Sequence, residues 1–330
     1  MKVVIPLAGF GTRLRPFTFT KPKPLINVAG KPVLGHLLDK MAGLPIDEYI
    51  FIVGYLGDQV EEYVRKQYPI PARFVVQNEM LGQSHAIWLA REYLGHDPVF
   101  VAFVDTLFEA NLGVLSLFTE DALIFVKEVE DPSSYGVAIT NDEGYITKFI
   151  EKPKTKENRE AVIGLYYFKD GQALIDAISQ SMADEKNKIK GEYYIADAMN
   201  KMIESGQKFR TVQVSVWLDC GRVDTVLETN RYLLEHGHDN GSKFHANESI
   251  IVPPVHIDPT ATITRSVIGP HVTVAAGCEV SGSIISNSIL DEGATVVHAL
   301  MERSLIGRNA HVEDRPDTFN VGDSSSIGYT

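Results

Sequence analysis

The carboxyl-terminal part of the chain repeats one pattern of aliphatic residues, and this repeat limits the fold more than any other feature. Two aliphatic side chains stand six positions apart in each of four segments, as the pairs Ile257/Ile263, Ile268/Val274, Leu290/Val296 and Ile306/Val312. A six-residue period is typical of a hexapeptide β-helix, in which six residues form one side of a triangular coil and the aliphatic side chains stack inward. We therefore predict a short left-handed parallel β-helix over residues 251–315.

The first 235 residues follow another rhythm, in which short apolar runs alternate with helical segments. The apolar runs include "KVVIPLA", "YIFIVGY" and "PVFVAFVD", and the helical segments include "PVLGHLLDKMAG" and "DQVEEYVRKQY". Farther along, "YGVAIT" and "YITKFIEK" flank "NDEG", which predicts an antiparallel hairpin. The alternation predicts an α/β fold with a Rossmann-like, mixed but mostly parallel sheet.

The boundaries between domains are predicted from composition. Residues 236–250 are polar, rich in Gly and Asn, and show no periodicity, which is typical of a linker. We therefore predict a first domain over residues 1–235, a linker over 236–250, the β-helix over 251–315 and a loosely ordered tail over 316–330.

Charge and hydropathy exclude several classes of function. A net charge of −12 argues against a nucleic-acid surface, because binding to a phosphate backbone requires a basic face. No apolar run approaches the roughly 20 residues that span a bilayer, and the N-terminus lacks a signal-peptide pattern. The two cysteines, Cys220 and Cys278, form neither a disulfide framework nor a metal-ligand pattern. We expect a cytoplasmic protein without a nucleic-acid or membrane partner.

The segment "IPLAGFGTRLRPFTFTKPKPL" brings glycines and basic residues together directly after the first predicted strand. A dinucleotide fingerprint would need glycine where the chain has Leu14, and the spacing of a P-loop is absent. A Gly-containing turn at the carboxyl end of a strand still presents backbone N–H groups, and Arg13 and Lys23 add positive charge. These groups suit a triphosphate, although a tight turn with solvated basic residues remains an alternative.

This segment also resembles the signature of the sugar-phosphate nucleotidylyltransferases, L-A-G-x-G-T-R-L-x-P-x-T, followed by Pro-Lys-x-Leu. Further motifs in the family's order extend the resemblance over residues 1–312. The resemblance implies catalytic roles for Arg13 and Lys23. It also implies a set of nucleotide-binding residues, namely Leu7, Ala8, Gly9, Gly11, Thr12, Gln77 and Gly82. The last two belong to "VVQNEMLGQSHAI", which resembles the base-reading segment, and a glutamine there favours thymine or uracil.

Two aspartates follow apolar strands, Asp105 in "VFVAFVDT" and Asp219 in "VQVSVWLDCG". Either carboxylate alone could equally cap a helix or a turn. The resemblance implies that the pair binds Mg²⁺, which proteins hold through one or two carboxylates together with phosphates and water. One position departs from the family, because Val104 stands where glycine usually precedes the first aspartate.

The resemblance also implies a site for the sugar phosphate. In "FIEKP", Glu151 would bind sugar hydroxyls and Lys152 would hold the phosphate, although a surface ion pair is the simpler interpretation without the family. The remaining sugar-binding positions would be Gly136, Gly164 and Tyr166. In "GEYYIADAMN", Ala196 replaces the usual threonine, and we assign it no direct role.

The implied reaction joins a nucleoside triphosphate to a sugar 1-phosphate and releases pyrophosphate. The expected substrates are dTTP and glucose 1-phosphate, with UTP as the alternative nucleotide. Two other functions are weaker hypotheses, namely acyl transfer on the β-helix and non-catalytic sensing of a nucleotide sugar. We expect the β-helix to support a homo-oligomer or regulation rather than catalysis.

Overall fold

The computed structural model describes residues 1–244 and 248–314 and divides the chain into two compact units. The first unit comprises Met1–Ile26 and Lys31–Val226, and the second comprises Asn27–Gly30 and the chain from Leu227. The boundary therefore falls within a helix, Val223–Leu233, upstream of the predicted linker. Of that linker, residues 245–247 lie outside the described residues, as does the predicted tail over 316–330.

The predicted linker contains some regular structure. Leu234–His238 forms a π-helical turn that directly follows the helix, and Gly241–Lys243 forms a 3₁₀ turn. The first strand of the predicted β-helix, Ile250–Ile251, begins at the end of this stretch. The polar, Gly-rich stretch therefore contains short helical turns as well as irregular chain.

A mixed sheet forms the centre of the first unit. Within the described residues its nine strands, numbered in chain order, are β1 Lys2–Pro6, β2 Glu48–Val53, β3 Ala72–Val76, β4 Val99–Ala102, β5 Ala122–Glu128, β6 Gly136–Thr140, β7 Ile146–Glu151, β8 Glu160–Phe168 and β9 Phe209–Gln213. Neighbouring strands follow the order β3-β2-β1-β4-β8-β5-β9, and the β6–β7 hairpin joins β8. All strands except β7 and β8 run in one direction. This arrangement confirms the predicted α/β class with a mixed, mostly parallel sheet.

Helices cover the faces of this sheet. In chain order they are α1 Val33–Met41, α2 Gly57–Gln67, α3 Gln83–Trp88, α4 Arg91–Leu94, α5 Gly171–Met182, α6 Ile195–Glu204 and α7 Val223–Leu233. Side chains of neighbouring strands, such as Val4, Ile50 and Val101, are fully buried, as expected for a sheet that is covered on both faces. None of the helices in the described ranges is both long and apolar enough to cross a membrane.

Strand direction determines where a ligand can bind. β1, β2 and β4 are mutually parallel, so their carboxyl ends, at Pro6, Val53 and Ala102, lie along the same edge of the sheet. In open α/β sheets, ligands bind outside the carboxyl ends of the strands. A small antiparallel pair, Thr106–Glu109 with Val216–Asp219, follows β4 and places Asp219 opposite Thr106.

The second unit contains three parallel four-stranded sheets. Corresponding strands advance by 16 or 17 residues per coil, for example from Ile250 to Val267, Ile284 and Leu300. The first three predicted aliphatic pairs are buried, and the last pair, Ile306 and Val312, is half-buried. This architecture is that of a parallel β-helix, consistent with the left-handed β-helix that the sequence predicts.

Candidate active site

A cleft of about 840 Å³ opens in the first unit, next to the carboxyl ends of β1 and β4. Its walls include nearly all of the residues that the sequence assigns to a site: Leu7, Ala8, Gly9, Gly11, Thr12, Arg13, Gln77, Gly82, Asp105, Gly136, Glu151, Lys152, Gly164, Tyr166 and Asp219. The remaining residue, Lys23, contacts the wall residue Asp105. The structure therefore brings residues that are distant in sequence to one cleft.

The loop after β1 depends on one of its glycines. Gly11 has a φ of 62°, and a Cβ atom there would lie 3.0 Å from Thr18 Cγ2 and 3.1 Å from Lys23 Cβ. The Thr18 hydroxyl donates to the Gly11 carbonyl at 2.9 Å, which fixes this conformation. By contrast, a Cβ atom at Gly9 would meet nothing within 4 Å. The backbone conformation therefore requires glycine at position 11, whereas a Cβ atom at position 9 would find open space.

Lys23 and Asp105 form an ion pair, with Nζ 2.7 Å from Oδ2. Lys23 belongs to the 3₁₀ turn Lys23–Leu25, whereas Asp105 follows β4. Burial opposes ionisation of Asp105, but Lys23 and, to a smaller extent, Arg13 outweigh it and lower the pKa of the carboxyl group. Asp105 therefore stays ionised at neutral pH. Val104, which replaces the family's glycine, is itself buried beside it.

Asp219 lies beside Asp105 because the two short strands pair. The Cys220 N–H donates to the Asp105 carbonyl at 2.8 Å. A Cβ atom at Gly221 would lie 2.9 Å from Asp219 Oδ1 and 3.3 Å from the Arg13 terminal nitrogen NH2. The Asp219 carboxylate and the Arg13 guanidinium thus both pass close to Gly221. Two carboxylates and two basic side chains form one charged cluster.

Gln77 also lines the cleft and is buried, and part of its amide already has hydrogen-bond partners. Its Nε2 lies 3.1 Å from His85 Nδ1 and 3.4 Å from the Gly82 carbonyl. Burial lowers the pKa of His85, so the imidazole is neutral at pH 7 and its Nδ1 can accept. The sequence did not predict this role for His85, which orients the glutamine that is expected to bind the base.

Gly82 is needed for a close backbone approach. Its φ is 94°, and a Cβ atom would lie 2.7 Å from both the backbone N and O of Tyr193. Tyr193 also donates its N–H to the Leu81 carbonyl at 2.8 Å. Tyr193 belongs to a small hairpin, Lys188–Ile189 with Glu192–Tyr193, that packs against the base-reading segment. This close contact requires glycine at position 82, and Gly82 also lines the cleft.

Glu151 ends β7, where the hairpin pairs it with Gly136, and Lys152 follows the strand. Lys152 Nζ lies 3.5 Å from Glu151 Oε1 and 5.2 Å from the centre of the Tyr194 ring. Burial raises the pKa of Glu151, and Lys152 only partly offsets that effect. A Cβ atom at Gly136 would lie 3.1 Å from Glu151 Oε2, so the glycine gives this carboxylate space.

Tyr166 lines the cleft, where the charges of both Glu151 and Asp105 act on its phenol group. It is buried in β8, and its ring packs edge-on against Phe103 with centroids 5.9 Å apart. Burial, followed by the charges of Glu151 and Asp105, raises the pKa of the phenol, which therefore stays neutral. Nearby, Gly164 has a φ of 84° and lies against Phe103, where the register of β8 is irregular.

Sequence reasoning missed several residues that line the cleft, among them Tyr135, Tyr194, Trp217 and Arg222. The Tyr135 and Trp217 rings meet edge-on with centroids 4.8 Å apart. Trp217 Nε1 is buried and has no hydrogen-bond partner within the part of the chain that the structure describes. Its position two residues before Asp219 could have indicated it, because alternate residues of a strand share a face.

The chain is similar to known proteins in sequence and in fold. Residues 2–236 match the family model described as Nucleotidyl transferase. The chain belongs to this nucleotidyl transferase family.

Two curated relatives illustrate the range of this nucleotidyl transferase family. A glucose-1-phosphate thymidylyltransferase of Streptomyces antibioticus is 30% identical and aligns over 99% of both chains. A UTP–glucose-1-phosphate uridylyltransferase of Haloferax volcanii is 33% identical over 71% of this chain and 97% of its own. Among solved structures, UDP-glucose pyrophosphorylase in complex with UDP-glucose gives a TM-score of 0.63 at 23% identity, over 71% of this chain and 98% of that one. The last similarity concerns the fold alone.

Proposed function

We propose that the protein transfers a nucleotidyl group from a nucleoside triphosphate to a sugar 1-phosphate, which yields a nucleotide sugar and pyrophosphate. The observation that carries this proposal is the cluster of Arg13, Lys23, Asp105 and Asp219 at one part of a cleft that also contains Glu151 and Lys152. The relatives named above, which act on glucose 1-phosphate, support the same reaction.

In this reaction a phosphate oxygen of the sugar 1-phosphate attacks the α-phosphorus of the triphosphate. A new P–O bond forms there, the bond to the β-phosphate oxygen breaks, and pyrophosphate leaves with that electron pair. The nucleophile is already an anion at neutral pH, so the reaction needs no general base. The main obstacle is the alignment of two anions, which positive charge and positioning overcome.

The basic residues provide that charge. Arg13 and Lys23 face the triphosphate, and the backbone N–H groups of the loop after β1 suit its oxygens. Lys152 holds the phosphate of the sugar, with its side chain about half exposed to the cleft. Glu151 accepts hydrogen bonds from sugar hydroxyls, and Tyr166, which stays neutral, can donate one.

Asp105 and Asp219 suit a divalent cation, for which we propose Mg²⁺. No group of three or more His, Cys, Asp or Glu side chains could hold a metal within residues 1–244 and 248–314. Mg²⁺ commonly binds one or two protein carboxylates, and substrate phosphates and water complete its shell. The ammonium of Lys23 at Asp105 Oδ2 indicates that this carboxylate attracts a cation. When bound, the metal would neutralise the triphosphate.

We propose dTTP and glucose 1-phosphate as the preferred substrates, and UTP is the second candidate. Gln77 supports a pyrimidine, because its amide offers both a donor and an acceptor to a base edge. Its Nε2 already contacts His85, so the acceptor oxygen would meet the base N–H that thymine and uracil share. The similarity to a thymidylyltransferase supports dTTP, and the similarity to a uridylyltransferase supports UTP.

A direct test measures pyrophosphate release by the purified protein with each of dTTP, UTP, GTP and ATP, paired with glucose, galactose, mannose or N-acetylglucosamine 1-phosphate. The expected result is release that requires both substrates and is fastest with dTTP and glucose 1-phosphate. A preference for GTP or ATP would refute the pyrimidine proposal. Absence of release with every pair would refute the reaction.

We also propose that the protein works in the cytoplasm as a homo-oligomer. An aliphatic ladder on one face of the β-helix supports oligomer formation, since Ile250, Ile284 and Leu300 stand in register and are 61%, 54% and 80% exposed. Light scattering coupled to gel filtration tests this proposal, and Ile284→Lys with Leu300→Lys should shift the mass toward the monomer. A monomeric wild-type protein would contradict it.

A further inference from the structure

We propose that Thr225 is a positioning residue that orients the Asp219 carboxylate, an inference that rests on the proposed role of Asp219 in metal binding. Thr225 lies in the first turn of α7, six residues after Asp219, and its Oγ1 is 3.1 Å from Asp219 Oδ2. Both residues belong to the first unit. No sequence motif pointed to this threonine.

The hydrogen bonds around Thr225 indicate where its single hydroxyl proton goes. The Arg222 N–H donates to Thr225 Oγ1 at 3.2 Å, so the hydroxyl oxygen acts as an acceptor there. Two acceptors then compete for its proton, Asp219 Oδ2 and the Arg222 carbonyl, each at 3.1 Å. A hydrogen bond to a carboxylate is charge-assisted and stronger than one to a neutral carbonyl. The proton therefore goes to Asp219 whenever that carboxylate is ionised.

The surroundings of Asp219 leave its orientation dependent on such contacts. It is the last residue of its strand, and Gly221, two residues farther along, leaves the carboxylate close to bare backbone. The Arg13 guanidinium approaches the same glycine. Residues that orient a metal-binding side chain typically contribute 10- to 100-fold to metal affinity. Thr225 occupies that position for Asp219.

A purely structural role for Thr225 is the competing explanation. Arg222 directly precedes α7, so the bond from its N–H to Thr225 resembles one half of a capping box. A capping role would change the thermal stability and leave metal affinity unaltered. A positioning role would change metal affinity even where the fold is intact.

The test is a titration of the purified protein with Mn²⁺ alone, in which electron paramagnetic resonance measures the free ion. Thr225→Val removes the hydroxyl at nearly constant volume, and Thr225→Ser retains it. Glu228→Gln, at an exposed position of the same helix, is the matched control. We expect Thr225→Val to weaken Mn²⁺ binding about 10-fold or more, and Thr225→Ser and Glu228→Gln to bind like the wild type.

Wild-type Mn²⁺ affinity in Thr225→Val would overturn the proposal, as would equal losses in the valine and serine variants. Circular dichroism and the melting temperature check the fold, and Thr225→Ala replaces the valine variant if that one does not fold. A wild-type protein that binds no Mn²⁺, or an Asp219→Asn variant that binds it normally, would also refute the inference. Because the titration needs no turnover, an intact threonine effect without nucleotide-sugar synthesis would refute only the proposed function.

Discussion

The Lys23 ammonium lies 2.7 Å from a carboxylate oxygen of Asp105, which links the loop after β1 to the end of β4. The lysine side chain is 15% exposed and the aspartate side chain 33% exposed, so neither charge is fully hydrated. Loss of either partner would leave the other charge poorly compensated. The ion pair therefore joins the loop after β1 to one of the two aspartates that are proposed to bind the metal.

Replacement of Lys23 should affect turnover more than substrate binding. We expect Lys23→Met to lower kcat about 10²- to 10³-fold, because one charge that stabilises the developing pyrophosphate is lost. Lys23→Arg should retain more activity, since it keeps the charge. Initial rates of pyrophosphate release at saturating substrates measure the effect. The exposed Lys66, on α2, provides the control Lys66→Met, and equal rates in Lys23→Met and that control would contradict the assignment.

Gly11 and Gly9 should differ in their effects on stability. Gly11→Ala places a Cβ at a positive φ and at 3.0 Å from Thr18, which should cost roughly 1–3 kcal/mol. Gly9→Ala meets no atom within 4 Å and should change the free energy of unfolding little. Denaturant unfolding of both variants measures the difference. Equal stabilities would show that the loop does not need its left-handed residue.

Asp170 should stabilise α5 in a pH-dependent way. Its carboxylate accepts the N–H groups of Gln172 and Ala173, a cap that is worth roughly 1 kcal/mol. Burial opposes ionisation, but His96 and these N–H groups lower the pKa of Asp170 below its ordinary 3.8.

The charge-dependent part of that stabilisation is present above the unfolded pKa of about 3.8 and is lost as pH falls through the lower folded value. Asp170→Ala should therefore be destabilising at pH 7 and approach the wild type at strongly acid pH. The free energy of unfolding, followed from pH 7 downward, checks the trend. A difference that stays constant or grows on acidification would contradict it.

Glu151 should give a pH dependence of opposite sign. Burial raises its pKa above the ordinary 4.5, so the folded protein binds this proton more tightly than the unfolded chain. The stability that it contributes is therefore lost as pH rises through the raised pKa. Glu151→Gln should unfold at slightly higher denaturant at neutral pH, while its KM for the sugar 1-phosphate rises. Lower stability of this variant at neutral pH would contradict the account.

The same carboxylate should control sugar binding at low pH. In the wild type we expect KM for the sugar 1-phosphate to rise as pH falls through the pKa of Glu151, because the protonated group loses charge-assisted acceptance from hydroxyls. The KM of Glu151→Gln should be nearly independent of pH over that range. Parallel pH profiles for the two proteins would show that another group controls binding.

Local patterns predicted most of the fold. The six-residue spacing of Ile257 and Ile263 gives a periodic interior, and burial of both side chains confirms it. The apolar runs before Asp105 and Asp219 predicted strands. β4 ends at Ala102, three residues before Asp105, and Asp219 is the last residue of the short strand Val216–Asp219.

Contacts between distant residues could not be predicted in this way. Asn230 is fully buried, and its Oδ1 accepts the Ala29 N–H at 2.8 Å and the Thr273 hydroxyl at 2.6 Å. These bonds explain why Asn27–Gly30 belongs to the second unit, although the surrounding signature belongs to the first. The contact of Gly82 with the Tyr193 backbone is of the same kind. Periodicity in the local sequence does not indicate such partners, because each bond depends on how the fold brings distant segments of the chain together.

In the proposed reaction the sugar 1-phosphate itself attacks the α-phosphorus of the nucleotide in this cleft. The most direct measurement uses glucose 1-phosphate with ¹⁸O in its non-bridging phosphate oxygens, and dTTP or UTP without label. We predict by mass spectrometry that the nucleotide sugar retains all of the label, including the oxygen that joins the two phosphorus atoms, and that pyrophosphate carries none. Label in pyrophosphate, or pyrophosphate release without a labelled nucleotide sugar, would contradict the account.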